Sequence, residues 1–234
     1  MRNDLHIDWA THGAASYACK KWHYSKSLPP PPHIRFGVWE QCRFIGAVMF
    51  ARGANNNLLK PYGLSQTDGC ELVRVALGDH KSHVSKIIAI CIRKLKAKAP
   101  GLQLIVSMAD PFNDHHGGIY QAGNWLYAGT TNPTVEYLAP DGKIWHGRMV
   151  SKTGIKKVFG KKRRVWKHSE CSEVLKPGKH KYLMPLSREM REKIQHLSKP
   201  YPKRVQSIDS DVSSDQLEEG GVSPTCTLQG AVNG

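Results

Sequence analysis

The run "CELVRVALGDHKSHVSKIIAICIRKLKAKAPGLQLIVSMAD", residues 70–110, constrains the fold of this chain more than any other stretch. Residues 70–77 form a short, apolar, partly β-branched run that reads as a strand. In the next segment, Ile87, Ile88, Cys91, Ile92 and Leu95 fall at helical spacing on one face, while Lys86, Arg93, Lys94, Lys96 and Lys98 lie mainly elsewhere. Ser82 or Ser85 can cap this helix, and Pro100-Gly101 ends it. "LQLIVSMAD", 102–110, then reads as a buried strand. A helix between two strands is a crossover, so the two strands are expected to run parallel. The fold class is therefore α/β.

The flanking segments add antiparallel strands. "HIRFGVWE" (33–40) and "RFIGAVMFA" (43–51), separated by "QC", read as a hairpin. Upstream, "LPPPPH" can only be an extended connector, because proline neither continues a helix nor donates to a sheet. Residues 53–69 are turn-rich and read as a long loop. "GGIYQAGNWLY" reads as a short helix despite its internal glycine. Residues 134–148 read as a second hairpin turning at Asp141-Gly142. The expected architecture is a mixed central sheet flanked by helices, with a core over 1–148, a basic extension packed on it over 149–204, and a disordered acidic tail over 205–234.

The formal net charge is +15, which points to a polyanionic partner, most often nucleic acid. Residues 205–234 contain five acids and no Lys or Arg, so residues 1–204 carry +20. Between 143 and 168, ten of 26 residues are Lys or Arg, interleaved with Trp145, Phe159 and Trp166. Lys161, Lys162, Arg163, Arg164 and Lys167 would neutralise phosphates, and Phe159 and Trp166 could stack on bases. A solvated basic face is the other reading of such a run. No apolar run approaches the ~18 residues of a membrane span, and the N-terminus carries no signal sequence. The six cysteines are scattered without a CxxC pair, which argues against a zinc ribbon or a disulfide framework. The expectation is reduced thiols in a cytosol, with no membrane partner.

Chemistry concentrates in "SMADPFNDHHGGIYQAGNWLYAGTT", residues 107–131. Ser107 and Asp110 sit at the carboxyl end of a strand, where open α/β sheets face their ligands. His115 and His116 follow in a loop, Tyr120 begins the next helix, and Asn124 lies one turn on. Asp110 with His115 or His116 could form an acid/base pair or bind a metal, and Tyr120 could protonate a leaving group. Alternatively, the histidines are solvated and Tyr120, Trp125 and Tyr127 are core aromatics. Taken together at a strand end, these residues favour a site. "KWHYSK" adds Trp22, His23, Tyr24, Ser25 and Lys26, either a base-stacking or catalytic edge or a helix end with aromatic anchors. Glu71 and Arg74 could be a charged pair beside the cleft, or a structural ion pair. Finally, the junction "GDHKSHV" passes from strand to helix, where free backbone N–H groups suit a phosphate. An ordinary turn is the competing reading.

The segment "IYQAGNWLYAGT" and the sheet order resemble the GNAT acyltransferases, in which a Tyr-x-x-x-Gly-Phe helix follows a strand. Tyr120 takes the place of the tyrosine that often protonates the leaving thiolate, Asn124 that of the glycine, and Trp125 that of the phenylalanine. The junction carrying Gly78, His80, Ser82 and Val84 falls at the family's pyrophosphate loop but lacks its paired glycines. This resemblance makes those four residues and Asn124 candidates for donor binding.

The chain as a whole resembles the Mom family of bacteriophage DNA-modification proteins, above all in "KWHYSKSLP", "ELVRVAL", the 107–131 segment and "KKRRVWKH". That resemblance implies an enzyme of the host cytoplasm that converts adenine in double-stranded DNA to N6-(carbamoylmethyl)adenine and so shields phage DNA from restriction. It makes Tyr120, Asp110, Ser107, His23 and His115 candidate catalytic residues, and Trp22, Tyr24, Lys26 and the basic run, including Trp166, candidate DNA contacts. The donor expected is an acyl or glycyl group on coenzyme A or an aminoacyl-tRNA, and the oligomer expected is a dimer. An alternative is ferrous iron on His23, Asp110 and His115 or His116. A third reading is a non-catalytic protein that blocks restriction sites by occupancy.

Overall fold

The computed structural model describes residues 5–53, 55–158 and 160–203. The expected acidic tail and Phe159 lie outside them. Strand β1 (Leu5–Trp9) leads into helix α1 (His12–Trp22), which the Thr11 side chain caps by accepting the Ala14 N–H. β2 (His33–Glu40) and β3 (Arg43–Ala51) form the first hairpin, β4 (Gly69–Leu77) follows, then α2 (Val84–Lys98) and β5 (Leu104–Ala109). A short helix α3 (Gly118–Gln121) and β6 (Leu126–Thr130) come next. β7 (Thr134–Leu138), β8 (Ile144–His146), β9 (Val150–Ser151), β10 (Ile155–Val158), β11 (Lys161–Arg164), β12 (Trp166–Lys167) and β13 (Ser172–Lys176) make smaller sheets. β14 (His180–Pro185) and α4 (Arg188–Ile194) follow, before the 3-10 turn that ends the described elements.

Seven strands build the central sheet in the order β1-β2-β3-β4-β5-β14-β6. The crossover behaves as the sequence requires: β4 and β5 pair in parallel from Gly69↔Leu104 to Leu72↔Ser107. The α2 face expected from spacing is the buried one, since Ile87, Ile88, Cys91, Ile92 and Leu95 all enter the core with Phe36, Val48 and Ile105. A second apolar cluster on the other side joins Leu104, Val106 and Leu183 to Met190 and Ile194 of α4. The mixed, helix-flanked sheet expected from the sequence is thus the fold observed.

Two departures matter for the site. β14 comes from beyond residue 148, yet it lies inside the central sheet, antiparallel to both β5 and β6. The predicted helix over "GGIYQAGNWLY" is only one turn long. Asn124 adopts a left-handed φ of 59°, which stops the helix and sends the chain into β6. Asn124 therefore does not continue the face of Tyr120.

Candidate functional site

Beyond the Leu72↔Ser107 rung no further β4–β5 pair forms, although β4 runs on to Leu77. The two parallel strands fork. A cavity of about 620 Å³ opens there, lined on one side by Leu72, Arg74 and Leu77 and on the other by Ala109, with His23, Tyr24, His115 and Tyr120 around it. Loss of strand pairing exposes strand-end groups to a ligand, which is how open α/β sheets generate sites.

Ser107 sits at the apex of the fork, fully buried. Its Oγ lies 2.9 Å from the Leu72 carbonyl oxygen and 2.8 Å from the Tyr120 hydroxyl. A serine hydroxyl has one proton, and a carbonyl can only accept. When Ser107 donates to Leu72, its partnership with Tyr120 requires the tyrosine to donate. The Tyr120 ring is held between Trp125 and Tyr182, with centroids 5.0 Å from each. Burial pushes its hydroxyl up to about 12, against the opposing effect of the Ser107 hydrogen bond. Tyr120 is therefore protonated at neutral pH and presented by a rigid ring. The loop before it is equally constrained: Gly117 has φ 86°, and a Cβ there would lie 2.2 Å from the Tyr182 ring. Tyr182 donates to the His116 carbonyl at 2.6 Å, so only glycine lets the loop pass.

His23 lies at the end of α1, 7% exposed. Its Nδ1 accepts the backbone N–H of Ser25 at 3.1 Å, and Ser25 Oγ lies 2.8 Å from the same atom. A nitrogen that accepts a backbone N–H cannot carry a proton, so the neutral ring is protonated on Nε2. Burial, then the Arg74, His115 and Lys26 charges, lower its pKa to about 4. His23 is thus a neutral hydrogen-bond donor at physiological pH, and its free lone pair is already used. This corrects its reading as a base. Tyr24 packs on His23 in a tilted arrangement, centroids 4.3 Å apart, and meets His115 edge-on at 5.3 Å, leaving a half-exposed aromatic ring at the cavity rim.

Other expected residues are placed elsewhere. Asp110 does not line the cavity. Its Oδ1 accepts from the Phe112 N–H, and its Oδ2 pairs with Lys179 at 3.3 Å. β5 ends at Ala109, and Asp110 instead caps the 3-10 turn that follows. Asn124 is exposed and away from the cavity, where its carbonyl accepts from Arg191. Gly78 serves packing: a Cβ would lie 2.5 Å from the Trp22 ring, and its N–H is bonded to Ile45. Trp22 is itself half-buried between Tyr17 and Phe44, with only part of its ring on the cavity. Lys26 is exposed and donates to the Lys21 carbonyl. His80 and Val84 do line the cavity, while Ser82 faces a neighbouring one of about 320 Å³. No group of three His, Cys, Asp or Glu side chains able to hold a metal ion occurs among the described residues, so the proposed His23, Asp110, His115/His116 iron set does not fit this structure. Two residues escaped the sequence reading. Tyr182 lies on the late strand β14, and Glu40 is the last residue of β2.

The basic run forms the β10–β11 hairpin. Lys157 faces Lys162 and Lys156 faces Arg163 across the ladder, and Lys161 to Arg164 are all exposed. Like charges directly opposite one another destabilise a ladder unless an anion lies over them. No ion pair joins these cations to an acid among the described residues. Trp166 is half-buried on β12, which pairs in parallel with β9, and Lys167 beside it is exposed.

The sequence of the chain matches one family across nearly all of the described residues. Residues 4–203 fit the family model of the Mom protein family, and the chain belongs to that family. It is 25% identical over 191 residues to the methylcarbamoylase Mom of Escherichia phage Mu, covering 77% of this chain and 76% of that protein. Among solved structures it is similar to an aminoglycoside acetyltransferase in complex with coenzyme A and kanamycin, with 9% identity, a TM-score of 0.46, and coverage of 82% of this chain and 99% of that one. It is also similar to FeeM, an N-acyl amino acid synthase from uncultured soil microbes, with 9% identity, a TM-score of 0.45, and coverage of 84% and 98%.

Proposed function

We propose that this chain modifies adenine in double-stranded DNA by acyl transfer to the N6 amino group, and that the acyl group is glycyl. The observation that carries this reading is the protonated Tyr120 hydroxyl, fixed by Ser107 at the apex of the fork. Membership of the Mom family supports DNA as the substrate, and the unneutralised β10–β11 hairpin supports a phosphate backbone as its ligand. In a duplex adenine N6 is engaged in the Watson–Crick pair and cannot enter a cavity, so the base turns out into it, where Tyr24 offers a ring for stacking.

The roles are assigned to groups that line the cavity, with Ser107 behind Tyr120. N6 attacks the acyl carbonyl, and the Nε2–H of His23 donates to the developing oxyanion. His115 takes the proton that N6 loses. Tyr120 turns its proton from Ser107 to the departing group of the donor, and the Ser107 hydroxyl then donates to the phenolate oxygen left behind. The product of this step is Ade–NH–CO–CH2–NH2. Its free amine then adds to C6 through a five-membered spiro ring, and the bond from C6 to the original nitrogen breaks. The result is Ade–NH–CH2–CO–NH2, an isomer reached without any oxidant. Holding amine and C6 in one molecule gives the step its advantage.

The test is reconstitution with purified protein, DNA and glycyl donors on coenzyme A or tRNA, followed by mass spectrometry of nucleosides. With nitrogen-labelled glycine, the label is expected on the nitrogen bonded to C6. Label in the terminal amide would exclude the rearrangement. Loss of restriction resistance on deproteinising the DNA would instead favour simple occupancy.

A further inference from the structure

We propose that Glu40 is a specificity-determining residue that keeps phosphate-anchored donors, coenzyme A thioesters among them, off the start of α2. The inference refines the acyl-donor reading above and rests on it only for the word donor. The passage from a strand into a helix N-terminus is where backbone N–H groups and the helix dipole would receive a pyrophosphate. In this chain the loop between β4 and α2 already holds an anion of its own. Lys81 N–H donates to Glu40 Oε2 at 2.7 Å, and Ser82 N–H donates to Oε1 at 2.8 Å. Each carboxylate oxygen takes one amide, as two oxygens of a phosphate would.

Other amides of the same stretch are also in use. Gly78 N–H bonds the Ile45 carbonyl at 2.8 Å, and the Lys86 and Ile87 N–H groups both reach His83 O, at 3.0 and 3.2 Å. What is left of the helix end lies next to a full negative charge. Hydrogen bonds from Ser82 and from the Lys81 amide hold the Glu40 carboxyl below its usual range, so it stays ionised at neutral pH.

Glu40 is also built to stay. It is 4% exposed, and it is the last residue of β2, paired with Arg43 across a two-residue turn. Gln41 and Cys42 in that turn both have left-handed φ, 53° and 60°, the geometry of a tight hairpin whose twist suits its strands. From the other strand Arg43 donates to the Asp79 carbonyl at 3.0 Å. The turn therefore grips the loop from two sides. An incoming phosphate would have to expel a buried carboxylate from two hydrogen bonds, leaving it buried and unpaired. The donor that fits reaches the fork past His80 and Val84 without a phosphate anchored at this loop.

The experiment titrates coenzyme A and inorganic pyrophosphate, separately, into nitrogen-labelled full-length protein and follows the Lys81 and Ser82 amide resonances. Calorimetry is run in parallel on wild type and Glu40→Gln, a near-isosteric change that removes the charge. In wild type the two resonances are expected to stay put at millimolar ligand. In Glu40→Gln, pyrophosphate should bind about tenfold more tightly or better, with both resonances shifting. Saturable shifts of those amides in wild type, or equal pyrophosphate affinity in the two proteins, would overturn the proposal. Should the variant not fold, the wild-type titration decides by itself. Neither measurement uses DNA, so a protein that behaves as expected here and leaves DNA unmodified counts against the function proposed above and not against this role of Glu40.

Discussion

The fork cavity and the β10–β11 hairpin are built on opposite plans. In the fork, two of the polar groups are fixed by specific partners: Ser107 holds Tyr120, and Ser25 sets the tautomer of His23. In the hairpin, many like charges stand exposed, and no ion pair to an acid holds them among the described residues. A group preorganised by burial acts individually and cannot be replaced by its neighbour. Charges spread on a surface act as a sum, and each is worth little alone. Substitutions in the first region should therefore abolish one property outright, and those in the second should erode another by degrees.

The largest effect is expected at Tyr120. Tyr120→Phe removes the proton donor and keeps the ring that packs on Trp125 and Tyr182. Modification should fall by about 10²–10⁴-fold, the range for a lost general acid, while DNA binding stays unchanged in a filter or fluorescence assay. Undiminished modification would place the acid elsewhere and dissolve the contrast. Next comes joint neutralisation of Lys161, Lys162, Arg163 and Arg164 to glutamine. DNA affinity should drop for all sequences alike. If each cation meets one phosphate, the slope of log K against log salt should lessen by about 0.9 per cation. A sequence-selective loss would show that the hairpin reads bases.

His23 sharpens the comparison through pH. Its folded pKa is about 4 and its unfolded value about 6.5. Between those values the unfolded chain binds a proton that the folded chain refuses. The stability contribution is complete above about pH 6.5 and is lost as pH falls towards 4, by on the order of 3 kcal/mol at full extent. Denaturant melts across that window should show the slope in wild type and a flatter one in His23→Gln. Hairpin variants should keep the wild-type slope, since they touch no group of this kind.

How much of this was legible in the sequence depended on distance along the chain. The α2 face followed from spacing alone, and the parallel β4–β5 pair followed from the crossover. Ser107 and Tyr120 are 13 residues apart, and a strand followed by a short helix brings them together. Asp110 was misplaced because the strand ends at Ala109 and the turn that follows commits its carboxylate to the Phe112 amide and Lys179. Asn124 was misplaced because the helix ends in a left-handed residue that a Gly-Asn pair permits and does not dictate. The long-range features had no local signal. Nothing in "HKYLMP" places β14 between β5 and β6, and nothing around Glu40 shows that its carboxylate closes on amides 41 and 42 residues later.

The smallest effect belongs to a single hairpin charge. Lys162 faces Lys157 directly across the ladder, and both lie among exposed neighbours of the same sign. Replacing it with glutamine removes one phosphate partner and relieves one repulsion, so the two consequences oppose each other in sign. DNA affinity at moderate salt should fall severalfold at most, with the salt slope reduced by about 0.9. Relief of the like-charge pair should leave thermal stability unchanged or raise it by a fraction of about 1 kcal/mol. Calorimetric melting beside salt-dependent binding reads both quantities from one variant. A loss of stability with unaltered binding would mean that Lys162 serves the fold of the hairpin, and the distributed character assigned to this surface would then rest on its neighbours alone.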